Sequence, residues 1–303
     1  MAPQTVLITG CSSGIGHALT LELKSRGFRV FATARQTTSI TDLAGLGIET
    51  LALEATSAES IARLKEEIAS KTGGKLDYLV NNAGRSYTVP ALEVEKEEIE
   101  ATFAVNVFAV MMLTQALAPL LLEAKGNVVM IGSLAGEMPY VFGSVYCASK
   151  AALHRYTETL RLELKPFGVR VVNVVTGGVK SRIARTFREL RGDSIYLSVK
   201  GDFEKRLTHS QSLGMETESY ARSVVGQLVG WRGKTTIWEG EFLSFFLLSD
   251  LDWVRVANRS SFFSGSKSWL VWWLTGYMPR FILVSFERKV YLIFSITMAD
   301  CQS

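Results

Sequence analysis

Cysteine is scarce in this chain: Cys11, Cys147 and Cys301 are the three among 303 residues. None has metal-ligand spacing to another, and so few argue against a disulfide framework. A large excess of one charge is also lacking. The formal net charge is only +4, and no stripe of clustered basic and aromatic residues accompanies it, which argues against nucleic acid as a partner. Before about residue 240 there is no internal repeat, no low-complexity tract and no Pro- or Ser-rich linker. A single domain is the simpler reading of that stretch. The opening MAPQTVLITG lacks the charged start and apolar core of a secretory signal. The body of the protein is therefore expected to be intracellular and cytoplasmic.

What is present is ordinary for a globular protein: 48% hydrophobic and 20% charged residues. Short apolar runs alternate with longer helical patterns. TVLIT (5–9), RVFATA (29–34), ETLAL (49–53), LDYLV (76–80), GNVVMIG (126–132) and VRVVNVV (169–175) read as buried strands. HALTLELKSR, SAESIARLKEEIAS, EEIEATFAVNVFAVMMLTQALAPLLLEA and SKAALHRYTETLRLELKPF carry helical periodicity between them. Alternation of this kind predicts βαβ units and an α/β, Rossmann-type doubly wound parallel sheet. Near-continuous apolarity in the runs fits strands covered on both faces.

Three stretches carry chemistry. TGCSSGIG, Thr9 to Gly16, ends the first strand and enters a helix near Gly14. In that context its glycines allow a sharp turn and a close approach to a pyrophosphate, with helix N–H groups behind it. Gly10, Ser12, Ser13, Gly14, Ile15 and Gly16 are the expected contacts. At the end of the second strand, where a carboxylate would hold the ribose of NADH, stands Arg35. An arginine there suits a 2′-phosphate, which predicts NADPH/NADP as cofactor. In SVYCASK, Tyr146 and Lys150 are one helical turn apart and share a face. A cation so placed is expected to draw the phenol pKa down and fit it for proton transfer.

Taken in order, TGCSSGIG, NNAG (81–84), Asn106 in VNVFA, Ser133 in IGSLAG and YCASK make the chain resemble the classical short-chain dehydrogenase/reductase family over about residues 4–185. The resemblance implies that Tyr146 protonates a carbonyl oxygen, that Lys150 lowers its pKa and holds the nicotinamide ribose, and that Ser133 bonds the substrate oxygen. Asn106 would kink its helix and order a relay water. It also implies cofactor contacts at Asn82, Ala83, Gly84, Ser181 and the backbone of Val179. Glu54 stands where the family usually has Asp beside the adenine.

Within that family, NNAGRSYTVPAL, AKGNVVMIGSLAG, FGSVYCASKAALHRY, KPFGVRVVNVVTGGV and the Thr176-Gly177-Gly178 step resemble the NADPH-dependent 1-acyldihydroxyacetone-phosphate reductases. The resemblance thus implies a small-molecule ketone substrate, a phosphorylated lipid in the leading reading. It also implies a homo-oligomer joined through the helices bearing Asn106 and Tyr146, and peripheral contact with endoplasmic reticulum or lipid droplets. The alternatives are a secondary-metabolite ketoreductase or alcohol dehydrogenase, and an inactive NADPH-binding protein. A substrate loop is expected over about 180–212. Its Lys180, Arg182, Arg185, Arg188 and Arg191 are candidate phosphate ligands. Phe187, Leu190, Ile195, Tyr196 and Leu197 are a candidate acyl path. The competing reading is a solvated basic helix with an apolar inner face.

Residues 1–240 thus read as the catalytic domain and 241–303 as an atypical apolar extension. WLVWWLTGYMPRFILV (269–284), flanked by Lys267, is too short around its tryptophans to span a bilayer and suits an interfacial helix or a packed one. Residues 241–264 and the tail from Ser285 also read as translated intron. Gly240-Glu241 can be encoded by GGTGAG, and Phe262 to Gly265 by a pyrimidine tract with an acceptor. Transcript sequencing separates these readings.

Overall fold

Six of the apolar runs, and a seventh strand that the sequence conceals, line up side by side and all parallel. The computed structural model describes residues 2–184, 188–212, 214–230 and 235–240. The chain runs β1 (Thr5–Ile8), α1 (Gly14–Ser25), β2 (Arg29–Ala34), α2 (Thr41–Gly45), β3 (Glu49–Ala52), α3 (Ala58–Thr72) and β4 (Tyr78–Asn81). It continues through α4 (Lys96–Phe103), α5 (Ala109–Ala124), β5 (Asn127–Ile131), α6 (Ser144–Leu164) and β6 (Arg170–Thr176). It ends in α7 (Lys200–Ser212), α8 (Thr217–Gly230) and β7 (Thr236–Glu239). Arg185, Phe187 and the whole of 241–303 lie outside the described residues.

The strand order is β3-β2-β1-β4-β5-β6-β7. Successive side chains of a strand point to opposite faces, and β1 divides two cores in this way. Val6 and Ile8 pack with Leu19 and Leu23 of α1 and with Tyr220, Val224 and Val225 of α8. Leu7, between them in sequence, joins Leu64 and Ile68 of α3, Leu113 and Leu117 of α5 and Leu153 of α6. Burial on both faces is the reason these runs are apolar without alternation. The ends of α3 are written locally. Ser57 caps its N-terminus by accepting from the Ser60 N–H at 3.2 Å, and Gly73 closes it at φ 64°.

Two elements depart from the sequence reading. The predicted single helix across 97–124 is broken by a π-helical turn, Ala104–Phe108, between α4 and α5. β7 was not expected, because Thr236–Glu239 is four residues long and follows a charged stretch. It is a strand because β6 offers it a free edge, in the register Val174↔Ile237 and Val175↔Trp238. Such pairing is a tertiary effect that local pattern does not carry.

The chain builds β1, β2 and β3 outward, then returns to lay β4 on the other side of β1. That reversal opens a crevice beyond the carboxyl ends of β1 and β4, the place where open α/β sheets bind ligands.

Candidate active site

A cavity of about 580 Å³ occupies this crevice. Its lining follows from the topology. Every strand from β1 to β6 sends the residues after its carboxyl end into it: Gly10, Arg35, Glu54, Ala83, Ser133 and Val179, one from each. Ser12, Ser13, Gly14, Ile15, Gly16, Asn82, Gly84, Tyr146, Lys150 and Ser181 also line it. All the residues expected to act in catalysis or cofactor binding, except Asn106, are therefore on its wall, and Asn106 lies directly behind Gly84.

At one end the glycine loop is held from outside. Asn82 and Ala83 donate their N–H groups to Thr9 Oγ1 at 3.0 and 2.9 Å, and the Asn82 side chain donates to the carbonyls of Thr9 and Gly10 at 2.8 and 3.2 Å. The side-chain amide of Asn82 is thus a clamp on the loop. A Cβ on Gly16 would stand 2.3 Å from the Gly10 carbonyl oxygen and 2.4 Å from that amide, so only glycine lets α1 start here. Ser13, at the N-cap of α1, makes no side-chain bond to the helix. The first-turn N–H groups are left to face an incoming ligand, and with the helix dipole they favour an anion. A pyrophosphate fits this donor set. Arg35 is exposed at the rim. Glu54 is exposed there too, accepting from the Thr56 N–H and hydroxyl at 3.3 and 2.8 Å.

At the other end lie Ser133, Tyr146 and Lys150, with Asn106 behind them. Asn106, in the π turn, accepts the Arg85 N–H at 2.9 Å and donates to the Arg85 carbonyl at 2.9 Å and to Ser149 Oγ at 3.0 Å. A π turn inserted in a helix re-aims the side chain it carries. A side chain added to Gly84 would stand 3.3 Å from Asn106 Oδ1 and 4.0 Å from Lys150 Nζ. Lys150 is buried, 4% exposed, and donates to the Ile131 carbonyl at 2.8 Å. Burial lowers its pKa from 10.5 to about 8.

Tyr146 corrects the sequence reading. Its pKa is pushed up to about 12, because enclosure in the cavity wall opposes the phenolate more than its neighbours support it. The groups that draw it down are the Ser133 hydroxyl and the guanidinium of Arg206. Lys150 has its ammonium 5.9 Å from the tyrosine ring centre, engaged with Ile131. The i, i+4 spacing brings the two residues to one face but does not aim the cation at the hydroxyl.

Ser133 is fixed by a residue the sequence reading passed over. Its N–H donates to His154 Nε2 at 3.1 Å, so Nδ1 carries the ring proton and donates to Glu137 at 2.8 Å. A Cβ on Gly132 or Gly136 would come within 2.4 or 2.7 Å of the imidazole. The glycines beside Ser133 thus make room for the ring that orients it. The only sequence signal was a histidine one turn beyond Lys150 on the same helix.

The basic residues of the loop are mostly spoken for. Lys180 pairs with Glu216, Arg188 with Glu98 at 3.2 Å, and Arg191 with Asp193 at 3.0 Å. Arg182 lines the cavity near the glycine loop. Leu190, Ile195, Tyr196 and Leu197 are not on the cavity wall, and Ile195 is 73% exposed. Ile183, Leu134 and Leu207 are among the apolar residues that line the cavity instead.

A family model described as short chain dehydrogenase matches residues 4–192. The short-chain dehydrogenase ptmH of Penicillium ochrochloron is 43% identical over 248 residues, 81% of this chain and 91% of that protein. The NADPH-dependent 1-acyldihydroxyacetone phosphate reductase of Saccharomyces cerevisiae is 38% identical over 244 residues, 78% of this chain and 82% of that one. Among solved structures, a short-chain dehydrogenase from Streptomyces avermitilis superposes with a TM-score of 0.72 at 28% identity, covering 87% of this chain and 100% of that one.

Proposed function

We propose, for a chain that belongs to the short-chain dehydrogenase family, that it is an NADPH-dependent reductase converting a ketone to a secondary alcohol. The leading substrate is 1-acyldihydroxyacetone phosphate, giving 1-acylglycerol 3-phosphate. One observation carries the chemistry: Ser133, Tyr146 and Lys150 share the wall of a cavity whose other end is a glycine loop and a free helix N-terminus.

When bound, NADPH supplies the hydride. Tyr146 gives its phenolic proton to the carbonyl oxygen as negative charge grows there. A phenol kept protonated by burial is suited to that task. The Ser133 hydroxyl donates to the same oxygen, its backbone held by His154. Lys150, charged below about pH 8, would hold the ribose hydroxyls and keep positive charge near the developing alkoxide. Arg35 would hold the 2′-phosphate, Glu54 would sit on the adenine side, and the Val179 backbone and Ser181 would meet the nicotinamide end. On this reading residues 1–240 form the catalytic domain. The protein works in the cytoplasm at a lipid surface, as a homo-oligomer joined through α5 and α6, whose Met112 and Leu162 are exposed.

Similarity to the Saccharomyces cerevisiae reductase supports the lipid substrate. A ketone without phosphate, as in secondary metabolism, is the second reading. The pairing of Lys180, Arg188 and Arg191 with carboxylates favours it, since those cations are already neutralised. NADPH oxidation by purified protein is to be measured with 1-acyldihydroxyacetone phosphate and with the same ketone lacking phosphate. Preference for the phosphate of about tenfold or more is expected. Equal or reversed preference moves the assignment to the second reading, and bound NADPH with no oxidation by either removes both.

Arg35→Asp should move cofactor preference towards NADH by roughly 100-fold, since a charge-assisted bond is replaced by like-charge repulsion. The ratio of kcat/KM for the two cofactors reads it. An unchanged ratio takes Arg35 out of the 2′-phosphate site.

A further inference from the structure

Arg206 differs from the other cations around the cavity. It comes from α7 and reaches the cavity wall beside Tyr140 and Leu207, in the same cavity as Tyr146 and Ser133. Its guanidinium carbon lies 3.4 Å from the centre of the Tyr140 ring, a stacked position that fixes the plane of the fork. Its Nε is enclosed and has no hydrogen-bond partner. Among the described residues no carboxylate pairs with it, whereas Arg85, Lys180, Arg188 and Arg191 each have one. Arg35 and Arg182 stand by the glycine loop, at the far end. An arginine cannot shed its charge in a protein. A guanidinium partly removed from water, with its Nε unpartnered and no carboxylate beside it among the described residues, gains most from an anionic partner. It shares the cavity wall with Tyr146 and Ser133, the end at which the reductase reading puts the carbonyl.

We propose that Arg206 is the anion-binding residue of the substrate site, taking a phosphate or carboxylate that the ketone carries near its carbonyl. The inference rests on the ketone-reductase reading and narrows its substrate class. Arginine suits either oxyanion, because its planar fork matches both bidentately. Tyr140 holds the fork, and Ile183 and Leu207 offer an apolar surface to the remainder of the substrate.

The test compares wild type, Arg206→Gln and Arg206→Lys with NADPH and three ketones: 1-acyldihydroxyacetone phosphate, its dephosphorylated form, and a keto acid of similar length. The readout is the kcat/KM ratio of each anionic ketone to the neutral one. Arg206→Gln is expected to lower that ratio about 10- to 100-fold for the anion the site is built for, and Arg206→Lys less. The anion whose ratio falls identifies the source. A ratio unchanged for both, with all three ketones falling together, assigns Arg206 to packing against Tyr140 and overturns the proposal. Should wild type reduce no ketone, the reductase reading fails, and inorganic phosphate and acetate are titrated calorimetrically into the NADPH-loaded protein. Binding lost in Arg206→Gln upholds the anion site. Equal binding by both proteins, or binding by neither, ends it.

Discussion

Tyr146→Phe lowers ketone reduction about 1000-fold and leaves NADPH binding within about twofold of wild type. The substitution removes one oxygen and keeps the ring, so the packing of α6 against the cavity is retained. What is lost is one hydroxyl that serves as both the proton donor and one of the two donors to the developing oxyanion, together worth about 1000-fold. The glycine loop, held by Thr9 and Asn82, and the α1 N-terminus lie at the opposite end and are untouched. Steady-state NADPH oxidation and fluorescence titration of NADPH measure the two effects separately. Loss of cofactor binding in this variant would falsify the assigned role. Because burial holds the Tyr146 pKa near 12, the phenol keeps its proton throughout the neutral range. No limb from this residue is expected in reduction below about pH 10.

Lys150→Met makes the protein more stable while lowering reduction by about 100-fold or more. The two signs have one cause. Lys150 is 4% exposed, and burial takes its pKa from 10.5 to about 8, a difference equivalent to roughly 3 kcal/mol against folding. The cost is present in full below about pH 8, where folded and unfolded chains both hold the proton. It fades as pH rises towards 10.5, where neither does. Methionine has nearly the same reach and no charge, but it leaves the Ile131 carbonyl without its donor, at about 1–2 kcal/mol. The net gain is about 1–2 kcal/mol, a Tm higher by roughly 3–6 °C near pH 7. Thermal melts across pH 6–10 read it: wild-type stability should climb between about pH 8 and 10 towards the variant, closing the gap. A variant that melts below wild type at every pH would mean the ammonium is well solvated, contrary to its burial. The same proton sets the activity profile, with reduction falling as pH rises through about 8 and Lys150 loses its charge.

Local pattern was sufficient for much of this protein. Unbroken apolarity in runs such as TVLI and RVFATA required strands covered on both faces, and helical periodicity between them left parallel pairing as the solution. A glycine loop between such a strand and a helix is a short-range device. Gly10 and Gly16 could be read as part of a ligand turn because the close approaches they permit are to neighbours in sequence or one strand away. The i, i+4 relation of Tyr146 and Lys150 was legible for the same reason.

Tertiary structure decided what depends on direction and enclosure. Spacing put Lys150 on the face of Tyr146, but the Ile131 carbonyl of a neighbouring strand turned its ammonium away, and burial moved both pKa values opposite to simple charge pairing. β7 exists because β6 had a free edge, not because TIWE announces a strand. His154 reads as one polar position on a helix until the fold sets Gly132 and Gly136 against its ring. The arginines of the loop looked alike in sequence. Partners distant along the chain, Glu98 for Arg188 and Glu216 for Lys180, neutralised those two, and Arg206, one helix further on, was left facing the cavity. Charge is written in the sequence, but its partner and its exposure to water are set by residues brought near only when the chain folds.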